Sequence, residues 1–139
     1  MRIVKDCWNV LGVSECQYGA HIFDGNDVII YVSHWLAVFD EIEDFFFRKN
    51  SEGFVGHCQL AFLDVEKFDM VVVPYESRAD GVVWRDPVKY SYSGEVHEKT
   101  SIFELSGSLQ GIASSVEISV KARAFELRIL EGDEPARQS

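Results

Sequence analysis

The segment from Val116 to Ile129 limits the fold more than any other. Val116, Ile118, Val120, Ala122 and Ala124 alternate with Glu117, Ser119, Lys121 and Arg123, which is the two-residue period of a strand with one buried face. The phase then flips, and Phe125, Leu127 and Ile129 become the apolar positions against Glu126 and Arg128. A one-residue slip sends every later side chain to the opposite face. The flip therefore calls for a β-bulge at Ala124–Phe125, or for a strand that passes from one packing layer to another. Both imply a long, strongly bent strand in a sandwich or a partly closed barrel.

Shorter segments with the same period precede it. Ala20–Phe23 and Val28–Val32 flank Asp24-Gly25-Asn26-Asp27. An Asp-Gly step between apolar runs predicts a hairpin, because glycine tolerates the positive φ of such turns. Phe54–Leu63 puts Cys58, Leu60 and Phe62 on one face. Phe68–Glu76 reads as a strand ending near Pro74, and since proline cannot donate to a ladder, that end is predicted to be a sheet edge. Val88–Tyr92 sets Val88, Tyr90 and Tyr92 on one face. After the turn signal Ser93-Gly94 comes a run from Val96 to Ser106, centred on Ile102, Phe103 and Leu105.

One segment breaks the pattern. Between His34 and Lys49, the apolar positions 35, 38, 39, 42, 45 and 46 follow helical spacing, with Asp40, Glu41, Glu43 and Asp44 largely on the other side. Ser33 suits an N-cap, and Arg48-Lys49 suit the negative end of a helix dipole. The spacing predicts one substantial helix near residues 34–49; the competing reading is a strand that starts in Phe45-Phe46-Phe47. The expected fold class is α+β, mostly antiparallel β, with about 7–9 strands in a bent sheet, sandwich or partly closed barrel. Residues 1–130 read as a single domain. The polar stretch 131–139, with Gly132 and Pro135, reads as a disordered tail.

Charge narrows the partners. The chain carries 13 Lys+Arg against 23 Asp+Glu, a net charge of −10. That disfavours nucleic acid and anionic membrane surfaces, both of which need a basic excess. Residues 1–80 hold 14 acids and 6 bases, and residues 81–139 hold 9 and 7, so the acidity lies mainly in the part with the expected helix. Asp6 and Asn9 interrupt the apolar N-terminus, which predicts no secretion signal. Nor does any run approach the ~20 apolar residues of a membrane span. Cys7, Cys16 and Cys58 are odd in number and lack Cys-x-x-Cys spacing, as expected of reduced thiols in a cytoplasmic protein.

Motifs that carry chemistry are sparse. His21, His34, His57 and His97 form no helical His-x-x-x-His pair, and His57 and Cys58 would face opposite sides of a strand. No metal site is expected. Asp24-Gly25-Asn26-Asp27 lacks the ligand alternation and distal Glu of a calcium loop. There is no Gly-x-Ser-x-Gly elbow, and no glycine-rich phosphate cradle. Gly107-Ser108-Leu109-Gln110-Gly111 reads as a loop or hairpin connection. No catalytic residue and no cofactor are expected.

Acids and aromatics remain. Asp40, Glu41, Glu43 and Asp44 crowd one face despite mutual repulsion, which suits either solvation or contact with a basic partner. Trp35, Phe39, Phe45, Phe46 and Phe47 are too many for one narrow face, and the surplus suits a thick core, a ligand cavity or a self-association patch that would make a homodimer. Trp84-Arg85-Asp86-Pro87 reads as an exposed loop, and Trp and Arg are common interface anchors. In size, acidity and β content the chain resembles bacterial immunity proteins, which neutralise secreted toxins. No motif carries that resemblance, so it transfers no site residue. The leading expectation is a non-enzymatic protein-binding module, of inhibitor type. It would meet a basic protein through Asp40, Glu41, Glu43 and Asp44, with Trp84 and Arg85 as anchors. The alternatives are a small-ligand-binding β-barrel with an aromatic cavity, and an enzyme working in such a pocket.

Overall fold

The alternating segment and its phase flip fall in a single strand of 18 residues, Ile112–Ile129. The computed structural model describes residues 1–135. In chain order the strands are β1 (Arg2–Lys5), β2 (Leu11–Gly12), β3 (Cys16–Asp24), β4 (Asp27–His34), β5 (Ala37–Val38), β6 (Arg48–Lys49), β7 (Val55–Gly56), β8 (Cys58–Arg78), β9 (Gly81–Trp84), β10 (Val88–Ser93), β11 (Ser101–Leu109) and β12 (Ile112–Ile129). One mixed sheet of eight strands runs β1-β12-β11-β3-β4-β8-β10, with β9 added beside β8. A further pairing of β12 with β8 closes part of it into a ring. Two small sheets, β2–β5 and β6–β7, lie outside it.

The predicted bulge exists but sits on the partner strand. Ala124↔Leu63 and Phe125↔Phe62 pair without interruption, and the register shift falls between Lys121 and Ala122, opposite the extra residue Glu66 of β8. Asp64, beside it, is left-handed at φ 53. Both strands take a three-residue step in burial here, from Phe62 to Val65 to Phe68 and from Ala122 to Phe125. The bend also changes the company of β8: β4 flanks residues 58–62, and β10 flanks residues 67–72. The expected Asp-Gly hairpin secures the join, with Gly25 at φ 62. The Asp64 N–H donates to the Asp27 carboxylate (2.9 Å), and the Val65 N–H donates to the Asn26 carbonyl (2.8 Å). Two N–H groups freed by the bend are thereby satisfied.

The ring closes where β3 meets β11 in parallel, through Gly107↔Cys16, Ser108↔Gln17 and Leu109↔Tyr18. Gly107 lies at φ 150, and a Cβ there would stand 2.0 Å from the Cys16 carbonyl, so only glycine allows the contact. The Tyr18 hydroxyl shares its hydrogen between the carbonyls of Val13 and Ser106, 2.9 Å from each. Tyr18, Leu60, Phe62, Phe68, Met70 and Leu127 pack the interior, each worth ~1.5–3 kcal/mol relative to exposure. Trp8 covers one end, edge-on to Phe62, Phe103 and Phe125.

The expected helix is absent: among the described residues there is no α-helix, and the segment 34–49 holds only a 3-10 turn, Glu41–Phe45. Its backbone is claimed by strand partners. Leu36 and Val55 exchange N–H···O bonds of 3.0 and 2.9 Å, the Phe39 N–H donates to the Val10 carbonyl, and Trp35 is left-handed at φ 70. Ser33, expected as an N-cap, lies inside β4 and bonds to Gln17. The edge expected at Pro74 is also displaced. Pro74 pairs with Ser114, and on its other side its carbonyl accepts from the Arg85 N–H (2.8 Å). The two strands read as Phe54–Leu63 and Phe68–Glu76 are largely one, β8. Of the expected tail, residues 131–135 follow a turn in which the Glu134 carboxylate accepts from the Glu131 N–H and pairs with the Met1 amine, both at 3.0 Å. Residues 136–139 lie outside the described residues.

Candidate functional site

The segment between β5 and β6 is held at both ends by the small sheets, through Leu11↔Val38 and Gly12↔Ala37 on one side and Arg48↔Gly56 and Lys49↔Val55 on the other. Between them the Asp40 carboxylate accepts from the Glu41 N–H (2.7 Å) and opens the 3-10 turn. Phe46 is buried, and Ile42 and Phe45 pack against the core. The Arg2 guanidinium sits 3.6 Å from the centre of the Phe45 ring, within cation–π range. Once these residues are anchored, the rest must face out. Phe39 is 72% exposed and Phe47 67%, and Asp40, Glu41 and Asp44 between them are also exposed. Glu43 is partly neutralised by Lys49 at 3.4 Å. Trp35, exposed near the start of the segment, leans on Phe54 with ring centres 5.2 Å apart.

Trp84 and Arg85 lie elsewhere. Trp84 is 57% exposed on the β8–β9 hairpin, edge-on to Tyr75, and Arg85 is ion-paired with Glu76. The acidic turn borders Ile129, which pairs with Cys58, whereas Trp84 borders Pro74, which pairs with Ser114. These are opposite ends of the β8–β12 ladder, about 50 Å apart along the strand at ~3.3 Å per residue. The six expected contact residues therefore split into two surfaces.

Two arrangements had no signature in the sequence. Beside the acidic turn, a hollow of about 280 Å³ is lined by Phe47, Arg48, Lys49, His57 and Gly132. The His57 Nε2–H donates to the Glu131 carbonyl (2.9 Å), since a carbonyl can only accept. In the neutral ring Nδ1 then accepts from the Tyr31 hydroxyl (2.8 Å). Burial pushes the Tyr31 phenol up, and the neighbouring Arg48 partly opposes it. Both ring nitrogens are occupied, so His57 acts as a tie between β4 and the chain end. Its left-handed φ of 59 is a backbone property that residue type alone does not disclose.

The second arrangement is an open groove of about 610 Å³ on the outer face of β8, β12 and β11, walled by Val13 and Ser14. Ser119 pairs with both Asp69 and Glu104, and Glu117 sits one rung on. Asp69 accepts from the Ser91 hydroxyl (2.9 Å) and lies 4.0 Å from Lys67. These acids come from three separate strands, and only the pairing brings them together. Among the described residues, no three His, Cys, Asp or Glu side chains are grouped to hold a metal ion. Cys7, Cys16 and Cys58 are free and buried, and burial pushes all three thiols up, Cys16 to about 12.

Comparison of the chain with protein-family models, curated proteins and solved structures finds no match.

Proposed function

We propose that this protein is a non-enzymatic binding module, of inhibitor type, that takes a basic protein partner on residues 39–47. The observation that carries the reading is the exposure of Phe39 and Phe47 on either side of Asp40, Glu41 and Asp44. Two phenylalanines held in water by a pinned turn are surface that association would bury. Phe39 and Phe47 flank three exposed carboxylates, with Arg48 and Lys49 following at one end, and aromatic anchors beside an acidic run suit a basic partner whose encounter the field of a −10 chain would steer. Trp84 lies outside this surface, and Arg85 is neutralised by Glu76.

The test is differential capture on immobilised protein, comparing wild type with F39S/F47S and D40K/D44K. The expected result is one or a few basic proteins retained by wild type and reduced at least ~10-fold by each double variant, equivalent to about 1.4 kcal/mol. Phe39, Asp44 and Phe47 are exposed, so stability should stay within ~0.5 kcal/mol for each of these substitutions, whereas D40K also removes the cap of the turn and should cost about 1 kcal/mol. Retention that ignores both variants would remove the reading. The small-ligand alternative would rest on the open outer groove, which has no aromatic lining and is not the aromatic cavity expected beside residues 34–49; a small molecule co-purifying with the protein and lost on E104K would favour that second reading.

A further inference from the structure

With 23 acids against 13 bases, the chain has carboxylates to spare for its arginines. Arg78 and Arg85 pair with Glu76, Arg123 with Asp64 and Arg128 with Glu126, while Arg2 lies over the Phe45 ring. Among the described arginines, Arg48 alone has neither a carboxylate nor a ring partner. The fold explains where it goes. Arg48 pairs with Gly56, so the two share one face of the β6–β7 ladder. A Cβ on Gly56 would stand 2.0 Å from the Ser33 carbonyl. Glycine keeps that face open, and the Arg48 side chain crosses it to donate weakly to the same carbonyl, at 3.5 Å. It also neighbours the Tyr31 phenol, whose rise on burial it partly opposes. These contacts leave most of the five guanidinium N–H donors unused. Lys49, the next residue, is turned to Glu43 instead (3.4 Å).

We propose that Arg48 holds a small carboxylate with an apolar body in the hollow it lines with Phe47, Lys49, His57 and Gly132. At about 280 Å³ the hollow falls at the small end of ligand pockets, which run ~300–1,000 Å³, so its occupant is one small acid. The planar guanidinium fork matches the two oxygens of a carboxylate. Phe47 supplies an exposed apolar wall for the rest of the molecule. Gly132 stands beside it and puts no side chain into the opening, where a Cβ would meet the Phe47 Cβ at 4.0 Å. His57 is a fixed wall, because Glu131 and Tyr31 already occupy its ring nitrogens. A monoanion suits the place better than a phosphate dianion, since Glu43 on Lys49 and Glu131 next to Gly132 would repel a second charge. The remaining acids of the −10 chain count for less, being screened beyond ~8 Å at physiological salt. One charge-assisted pair at an open site supports a dissociation constant on the order of millimolar. Phe47 is shared with the surface offered to a protein partner, but the carboxylate site does not rest on that reading and is tested without a partner.

Benzoate is the probe, titrated into isotope-labelled protein at constant ionic strength and followed by amide NMR shifts, with benzamide as its neutral counterpart. Wild type should show saturable shifts at Phe47, Arg48, His57 and Gly132, with benzamide binding at least ~10-fold more weakly than benzoate. R48Q should weaken benzoate at least ~10-fold, whereas R78Q, at the far end of β8 from His57, should leave it unchanged. Arg48 is exposed, so R48Q should fold. If it does not, the two probes on wild type decide alone. The absence of saturable shifts up to ~100 mM benzoate overturns the proposal. So does benzamide binding as tightly as benzoate, or R48Q binding benzoate as tightly as wild type.

Discussion

Cys7, Cys16 and Cys58 show what burial does to single groups. Desolvation raises all three thiols, which lowers the thiolate fraction, and burial shields the sulfurs from a reagent. A thiol-reactive dye should label native protein very slowly and label three sites after denaturation; fast labelling of native protein would contradict the burial. His21 gives the pH dependence. Its ring lies among Phe23, Phe68 and Tyr90, and burial lowers its pKa below 6.5. The unfolded chain then binds the proton more readily, so this stability is complete above 6.5 and declines as pH falls toward the lowered folded value. H21Q should flatten that part of the urea-midpoint profile, and an unchanged profile would assign it to other groups. At this scale the sequence was readable where one residue type is required, as at Gly25 in the Asp-Gly turn. It was not readable at Trp35, His57 and Asp64, whose left-handed backbone is imposed by neighbours distant in the chain.

Among the elements, the long alternating strand was legible because its period is local. The bulge was misplaced because the inserted residue, Glu66, belongs to the partner strand and leaves no mark on β12 itself. The helix failed for a related reason. Helical spacing at 35, 38, 39, 42, 45 and 46 is a weak preference, and the backbone pairing of Leu36 with Val55 and of β6 with β7 overrides it. The acids expected on the polar face are exposed all the same, because charge seeks water in either conformation. The ring closure depends on Gly107, where a Cβ would strike the Cys16 carbonyl at 2.0 Å in a backbone conformation that side chains avoid. G107A should cost about 3 kcal/mol or more in urea denaturation, through strain and loss of the β3–β11 contact. A cost below ~1 kcal/mol would mean that the closure contributes little.

For the whole molecule, net charge was readable from composition, but its distribution depended on the fold. The acidic run and Trp84 looked like parts of one contact surface and proved to be at opposite ends of the β8–β12 ladder. A surplus of aromatics near residues 35–47 could be counted in the sequence. Which of them face water could not, because Phe46 is drawn into the core while Phe39 and Phe47 are left outside by the pinned turn. The most direct measurement is the association rate of the captured partner across a range of salt concentrations, for wild type and D40K/D44K. The expected result is a wild-type rate that falls steeply as salt rises, and a variant rate that is low and nearly flat. Equal rates for the two proteins at low salt would contradict the acidic turn as the partner-binding surface.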